Sequence, residues 1–193
     1  MSSTMYRGVS MLGLLIAVGG CASQKGKAEA AVAVADSSLA LVAAEAQAYV
    51  PTQYEAAGAA IAAAKADLDS GTFATALTKA QEATTLIESL APAIEVRKGE
   101  LTQTWQGMSE AVPGMVQAIQ TRVDELSKMR RLPAGVTKDA VAQATAALQE
   151  MTANWAKAME AQGQGDLPTA TSLASQVQAK AAQVMTTLGM PKA

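Results

Sequence analysis

Apolar residues recur at alternating intervals of three and four along almost the whole chain. Val32, Ala35, Leu39, Val42, Ala46 and Tyr49 form one such stripe, and Tyr54, Ala57, Ile61, Ala64 and Leu68 form the next. An interval of three to four places side chains on one face of an α-helix, so each stripe is a helical seam that must be covered by another. Alanine supplies much of the seam. It accounts for 44 of the 193 residues, and it is the strongest helix former because folding costs it no side-chain entropy. Runs of β-branched residues bounded by turn signals, the mark of strands, are absent from the sequence. The expected fold is all-α: antiparallel helical hairpins or a bundle of about five to six Ala-rich helices, one of them long and kinked.

The helix boundaries follow from turn chemistry. Pro51 suits the first turn of a helix, where its missing N–H is not needed. Gly71 can adopt the left-handed conformation that closes a helix, and Thr72 can cap the next one. The third stripe runs through Phe73, Leu77, Ala80, Thr84, Ile87, Ala91, Ile94, Lys98, Leu101, Trp105, Met108 and Val112. Its phase survives Pro92, which predicts one long helix kinked there. Pro113-Gly114 predicts a break before a fourth stripe of Val116, Ile119, Val123, Leu126 and Met129. Thr137 can cap a further helix carrying Val141, Ala144, Leu148, Met151, Trp155 and Ala158. After the glycine turn at 163–165, Asp166 or Thr169 can cap the last helix, with Pro168 in its first turn.

A faint internal repeat accompanies these elements. Gly71-Thr72-Phe73-Ala74-Thr75-Ala76 aligns with Gly165-Asp166-Leu167-Pro168-Thr169-Ala170 at an offset of 94 residues. The spacing suggests two helical hairpins joined by a middle segment. The body therefore divides into a hairpin at 28–91, middle helices at 92–135 and a second hairpin at 136–189.

The N-terminus carries a different signal. Arg7 precedes a short apolar stretch that ends in Val18-Gly19-Gly20-Cys21. A charged start, a short apolar core and small residues before a cut make a secretion signal, and the stretch is too short to span a bilayer as a helix. Val18, Gly19, Gly20 and Cys21 resemble the lipobox of bacterial lipoproteins. That resemblance implies removal of residues 1–20, a covalent lipid such as palmitate on Cys21, and a tether over 21–27. Ala22 and Ser23 follow the cysteine, where an Asp is the usual retention signal for the inner membrane in enterobacterial lipoproteins. The resemblance therefore implies attachment to the outer membrane, facing the periplasm.

The first hairpin resembles a second, broader group. Tyr54-Glu55-Ala56-Ala57 through Ala64-Lys65-Ala66-Asp67-Leu68, the turn Gly71-Thr72-Phe73-Ala74-Thr75-Ala76, and Ala80-Gln81-Glu82-Ala83 look like an uncharacterised domain of bacterial lipoproteins. The turn is also similar to that of tetratricopeptide repeats, although the 34-residue period of such arrays is missing. This resemblance covers about residues 28–91. It implies an envelope lipoprotein that presents a helical surface to other proteins.

Composition narrows the chemistry further. The chain has no His and one Cys, so the usual general base is missing, and the only thiol is the one that the lipobox assigns to a lipid. No metal-ligand spacing and no phosphate loop is present, because no Gly-Lys-Ser/Thr follows the glycines at 163–165. The net charge of −2 and the lack of a basic patch with interleaved aromatics argue against nucleic-acid binding. An enzyme is not expected, and neither a metal nor a cofactor beyond the lipid on Cys21.

Four features remain. Trp105, Met108, Met151, Trp155 and Met159 could line a slot for an apolar ligand, or fill a core. Arg130 and Arg131 could meet an acidic partner, or complement a helix dipole. Asp124 and Glu125 are expected to pair with Lys128 as exposed helix contacts. Lys192 is followed by Ala193, which departs from the terminal lysine joined to peptidoglycan in a small Ala-rich lipoprotein, so that linkage is not expected. The leading expectation is a non-catalytic, membrane-tethered scaffold or adaptor with an envelope protein as partner. The alternative is a periplasmic binding protein holding a small apolar ligand between helices.

Overall fold

The computed structural model describes the backbone of residues 17–191 and the side chains of residues 24–191. Within them the chain is all-helical, with five helices and no strand: α1 (Ala17–Tyr49), α2 (Pro51–Asp69), α3 (Phe73–Lys128), α4 (Lys138–Gly163) and α5 (Leu167–Thr187). The expected tether over 21–27 is helical, for α1 begins at Ala17. Residues 24–27 are nonetheless exposed, and the packed body starts at Ala28, which is fully buried.

Two compact units divide the chain at Ile94–Glu95, and α3 contributes to both. In the first unit α1, α2 and the start of α3 enclose Val32, Ala35, Leu39, Ala46, Ala57, Ile61, Ala64, Ala80, Ala83, Ile87, Leu90 and Ile94. The intervals are those of a heptad seam, with alanine at many contact positions. Small side chains let backbones approach: a Cβ placed on Gly58 of α2 would lie 3.9 Å from the Leu39 side chain of α1. The turn from α1 to α2 is Val50 alone. The proline that follows disfavours the helical conformation at Val50, whose φ and ψ are −138° and 55°. Pro51 then sits in the first turn of α2.

In the second unit the rest of α3 packs with α4 and α5 around Val112, Ile119, Val123, Leu126, Val141, Leu148, Met151, Val177, Ala181, Val184 and Leu188. Thr137 caps α4 by accepting from the Ala140 N–H at 3.1 Å, and Asp166 caps α5 by accepting from the Thr169 N–H at 3.1 Å. Both caps satisfy backbone donors that a helix start leaves unpaired.

Two expectations about α3 need correction. Pro113-Gly114 does not break the chain, and the fourth stripe belongs to the same 56-residue helix as the third. Both residues are exposed, while Val112 and Ile119 on either side are fully buried. Burying each such side chain is worth about 1.5–3 kcal/mol, enough to carry a helix past one missing hydrogen bond. The buried stripe also differs near Pro92. Leu90 is fully buried and Ala91 is exposed, because the interval of three from Ile87 keeps the larger residue on the seam. Lys98 holds the seam position after Ile94, at the boundary between the units, and its ammonium lies 3.2 Å from Glu95.

The two glycine turns share their backbone bonds. Gly71 and Gly165 have φ of 78° and 81°. In the first turn Thr72 N–H donates to Asp67 C=O at 2.9 Å and Gly71 N–H to Leu68 C=O at 3.0 Å. In the second, Asp166 N–H donates to Ala161 C=O at 2.9 Å and Gly165 N–H to Gln162 C=O at 2.9 Å. This pair of bonds is the Schellman closure of a helix, repeated at the same offset. Ala76 and Ala80, and their counterparts Ala170 and Ala174, are all fully buried.

Candidate functional site

The lipobox lies at the edge of the described chain. The backbone of Val18, Gly19, Gly20 and Cys21 belongs to the start of α1, but their side chains lie outside the described residues, as do residues 1–16 and Lys192. No helix among the described residues is long and apolar enough to cross a membrane.

The tryptophan site is inside the second unit. The rings of Trp105 and Trp155 stack, with centroids 5.6 Å apart and planes 8° from parallel. Trp105 is buried beside Ala158, Ala161, Ala170 and Ala174, and the alanines make room for the two rings. Met108 packs against the same cluster and accepts a weak hydrogen bond at Sδ from the Ser175 hydroxyl at 3.8 Å. Met151 is buried in the adjoining core. Three of the five expected lining residues, Trp105, Met108 and Trp155, therefore share one cluster. Met159 does not join them, for it is 47% exposed. The rings occupy each other's faces, as apolar core does. Neither tryptophan lines the clefts formed around Ala147 and Lys180, Met115 and Ala182, Arg122 and Met190, or Leu101 and Ser172.

Arg130 and Arg131 follow the end of α3, both exposed and without an ion-pair partner among the described residues. The connection that holds them, residues 129–137, is ordered by two inward anchors. Leu132 packs against the core, and Val136 is buried against Gly189. Gly135 takes a φ of 84° to complete the turn. The arginine pair has cationic flanks that the expected partner contact did not include. Lys128 and Lys138 are also exposed, and no acid occurs from 128 to 138. That uninterrupted run of positive charge was visible in the sequence.

The expected pairing of Asp124 and Glu125 with Lys128 is replaced by local contacts. Asp124 accepts from the Gln120 amide at 2.9 Å, and Glu125 lies 3.6 Å from the Arg122 guanidinium.

One carboxylate has a distinctive environment. Lys79 Nζ lies 2.6 Å from Asp67 Oδ2, and the Thr72 hydroxyl donates to Asp67 Oδ1 at 3.1 Å and to the Asp67 C=O at 3.0 Å. Thr72 thus ties the turn back to α2, where the sequence reading had its hydroxyl capping α3. The Lys79 contact holds the Asp67 carboxyl below the ordinary aspartate range, with help from Thr72, against the opposing effect of partial burial. A carboxylate held ionised by a lysine and a turn hydroxyl fastens α2 to α3. Its lowered pKa makes it a weak general base near neutral pH. No group of three or more metal-ligating side chains occurs among the described residues. The chain matches no protein-family model, no curated protein and no solved structure in the comparisons made.

Proposed function

We propose that this protein is a non-catalytic, lipid-anchored helical scaffold or adaptor of the bacterial envelope, tethered through Cys21 and acting by presenting its helical surface. The observation that carries the reading is the sequence Val18-Gly19-Gly20-Cys21, placed directly before a chain whose seams are closed by its own alanines. The stacked tryptophans support a scaffold over a ligand carrier, since they leave no slot between them. The lipoprotein resemblance of residues 28–91 points the same way.

Metabolic labelling with palmitate tests the anchor. Wild type is expected to take up label and to fractionate with the outer membrane, and Cys21→Ser to accumulate as an unlabelled precursor. Equal labelling of both forms refutes the anchor, and recovery only with the inner membrane refutes the placement. Crosslinking in native envelopes tests the adaptor role. A discrete crosslinked protein is expected, and a small apolar molecule co-purifying at one per chain overturns it in favour of the binding protein.

A further inference from the structure

We propose that the connection between α3 and α4 is a docking surface for an anionic phospholipid bilayer. This goes beyond the scaffold reading and does not depend on the lipid at Cys21. The first observation is the charge. Lys128, Arg130, Arg131 and Lys138 are exposed, none has an ion-pair partner among the described residues, and no acid lies between them. The nearby acids are committed elsewhere. Asp124 is bonded to Gln120, Glu125 faces Arg122, and Asp139 sits in the first turn of α4, where a helix favours negative charge. The chain as a whole is slightly acidic, so the attraction is local to this connection.

The second observation is the apolar residue among the cations. Met129 is 45% exposed and Pro133 is exposed as well, while Leu132 and Val136 turn inward and fix the backbone. Cations around an outward apolar side chain suit the interface of a membrane, where the charges meet headgroup phosphates and the thioether enters the acyl boundary. An acidic peptide would need a groove to select it, and the outward cations lie outside the clefts around Lys180, Met115, Arg122 and Leu101. The third observation is the repeat. The matching connection in the first unit, between α1 and α2, is the single residue Val50, whereas α3 and α4 are joined by residues 129–137. The fold closes without this length, and a long ordered connection carrying exposed charge is where function accumulates.

The test uses the full chain carrying Cys21→Ser and Met129→Cys, so that the only thiol reports on the connection. An environment-sensitive fluorophore on that thiol is titrated with vesicles of mixed phosphatidylglycerol and phosphatidylcholine. A blue shift is expected, absent with phosphatidylcholine alone and reversed by high salt. Arg130→Glu with Arg131→Glu is expected to weaken the binding by at least about tenfold. Arg130→Gln with Arg131→Gln should weaken it less, and Lys157→Glu with Lys180→Glu, matched in net charge, should leave it intact. Circular dichroism checks that every variant is folded. No shift with the anionic vesicles, an equal shift with phosphatidylcholine, or equal loss in the matched control overturns the proposal. A stronger response to polyglutamate than to the vesicles replaces the bilayer by an acidic protein, and overturns it as well.

Discussion

Pro113→Ala with Gly114→Ala is expected to stabilise the protein. Both residues lie inside α3, on its exposed side. Glycine in a helix interior costs about 0.8–1 kcal/mol relative to alanine, through the backbone freedom lost on folding. A Cβ added at Gly114 meets no atom within 4 Å, so nothing offsets that gain. Proline in a helix interior costs about 3 kcal/mol relative to alanine, because it leaves one carbonyl without a donor and crowds the preceding turn. Alanine frees the unfolded chain as well, which returns about 0.4–1 kcal/mol of the benefit. The net expectation is a gain of about 1 kcal/mol for Gly114→Ala and about 3 kcal/mol for the pair. For a chain of this size each kcal/mol moves the melting temperature by about 2–4 °C. Thermal melts followed by circular dichroism at 222 nm, with urea titrations beside them, read the effect. The sign is what discriminates. If the chain turned at Pro113-Gly114, proline would sit in a helix start where its N–H is not needed, and glycine would supply a conformation that alanine resists. A double variant that melts at or below the wild-type temperature refutes the continuous helix.

Asp67→Asn should lower stability near neutral pH and converge with wild type in acid. The folded carboxyl is held below its ordinary value of about 3.9, so its contribution is present above that value and is lost as the pH falls through the lower folded one. A gap between the two proteins that stays constant from neutral pH to strong acid refutes the role given to Lys79. Thr137→Ala and Asp166→Ala should each cost about 1 kcal/mol in urea titrations, since each removes the side-chain acceptor at a helix start; no change in either refutes the cap. Leu90→Ala and Ile119→Ala, at fully buried positions, should each cost about 2–5 kcal/mol, while Leu41→Ala, at a side chain 87% exposed, should stay within about 0.5 kcal/mol. Equal effects at all three positions refute the assigned core.

Stripes and caps were legible because both are local. Val32, Ala35, Leu39 and Ala46 are buried on the face that their spacing defines, and Thr137 caps the helix that it precedes. Pro113-Gly114 was misread because local propensity and tertiary burial disagree there. A break is what the dipeptide favours alone, and the apolar face running on from Val112 to Leu126 overrides it. Thr72 was misread for a related reason. Capping chemistry considers only the helix ahead, whereas the hydroxyl found a stronger acceptor behind it, in a carboxylate already held by Lys79. Met159 stands one turn from Trp155 on a similar bearing, yet it is 47% exposed, and the i, i+4 spacing does not show how far the covering residues extend.

Comparison of the two turns separates what the fold requires from what it merely carries. The backbone bonds and the left-handed glycine recur at both, and so do the buried alanines that follow. The polar groups do not. At the offset of the repeat, Asp67 corresponds to Ala161 and Lys79 to Leu173, so an ion pair in one unit is matched by apolar residues in the other. Thr72 corresponds to Asp166, and the two side chains act in opposite directions, one donating back to α2 and the other accepting from α5. The closure therefore rests on backbone geometry, glycine and small residues, and its side-chain polarity is free to vary. By the same comparison, residues 129–137 have no counterpart beyond Val50, and neither the turns nor the seams need the cations they present. Charge that the fold does not require, held outward by Leu132 and Val136, is what the proposed bilayer contact would use.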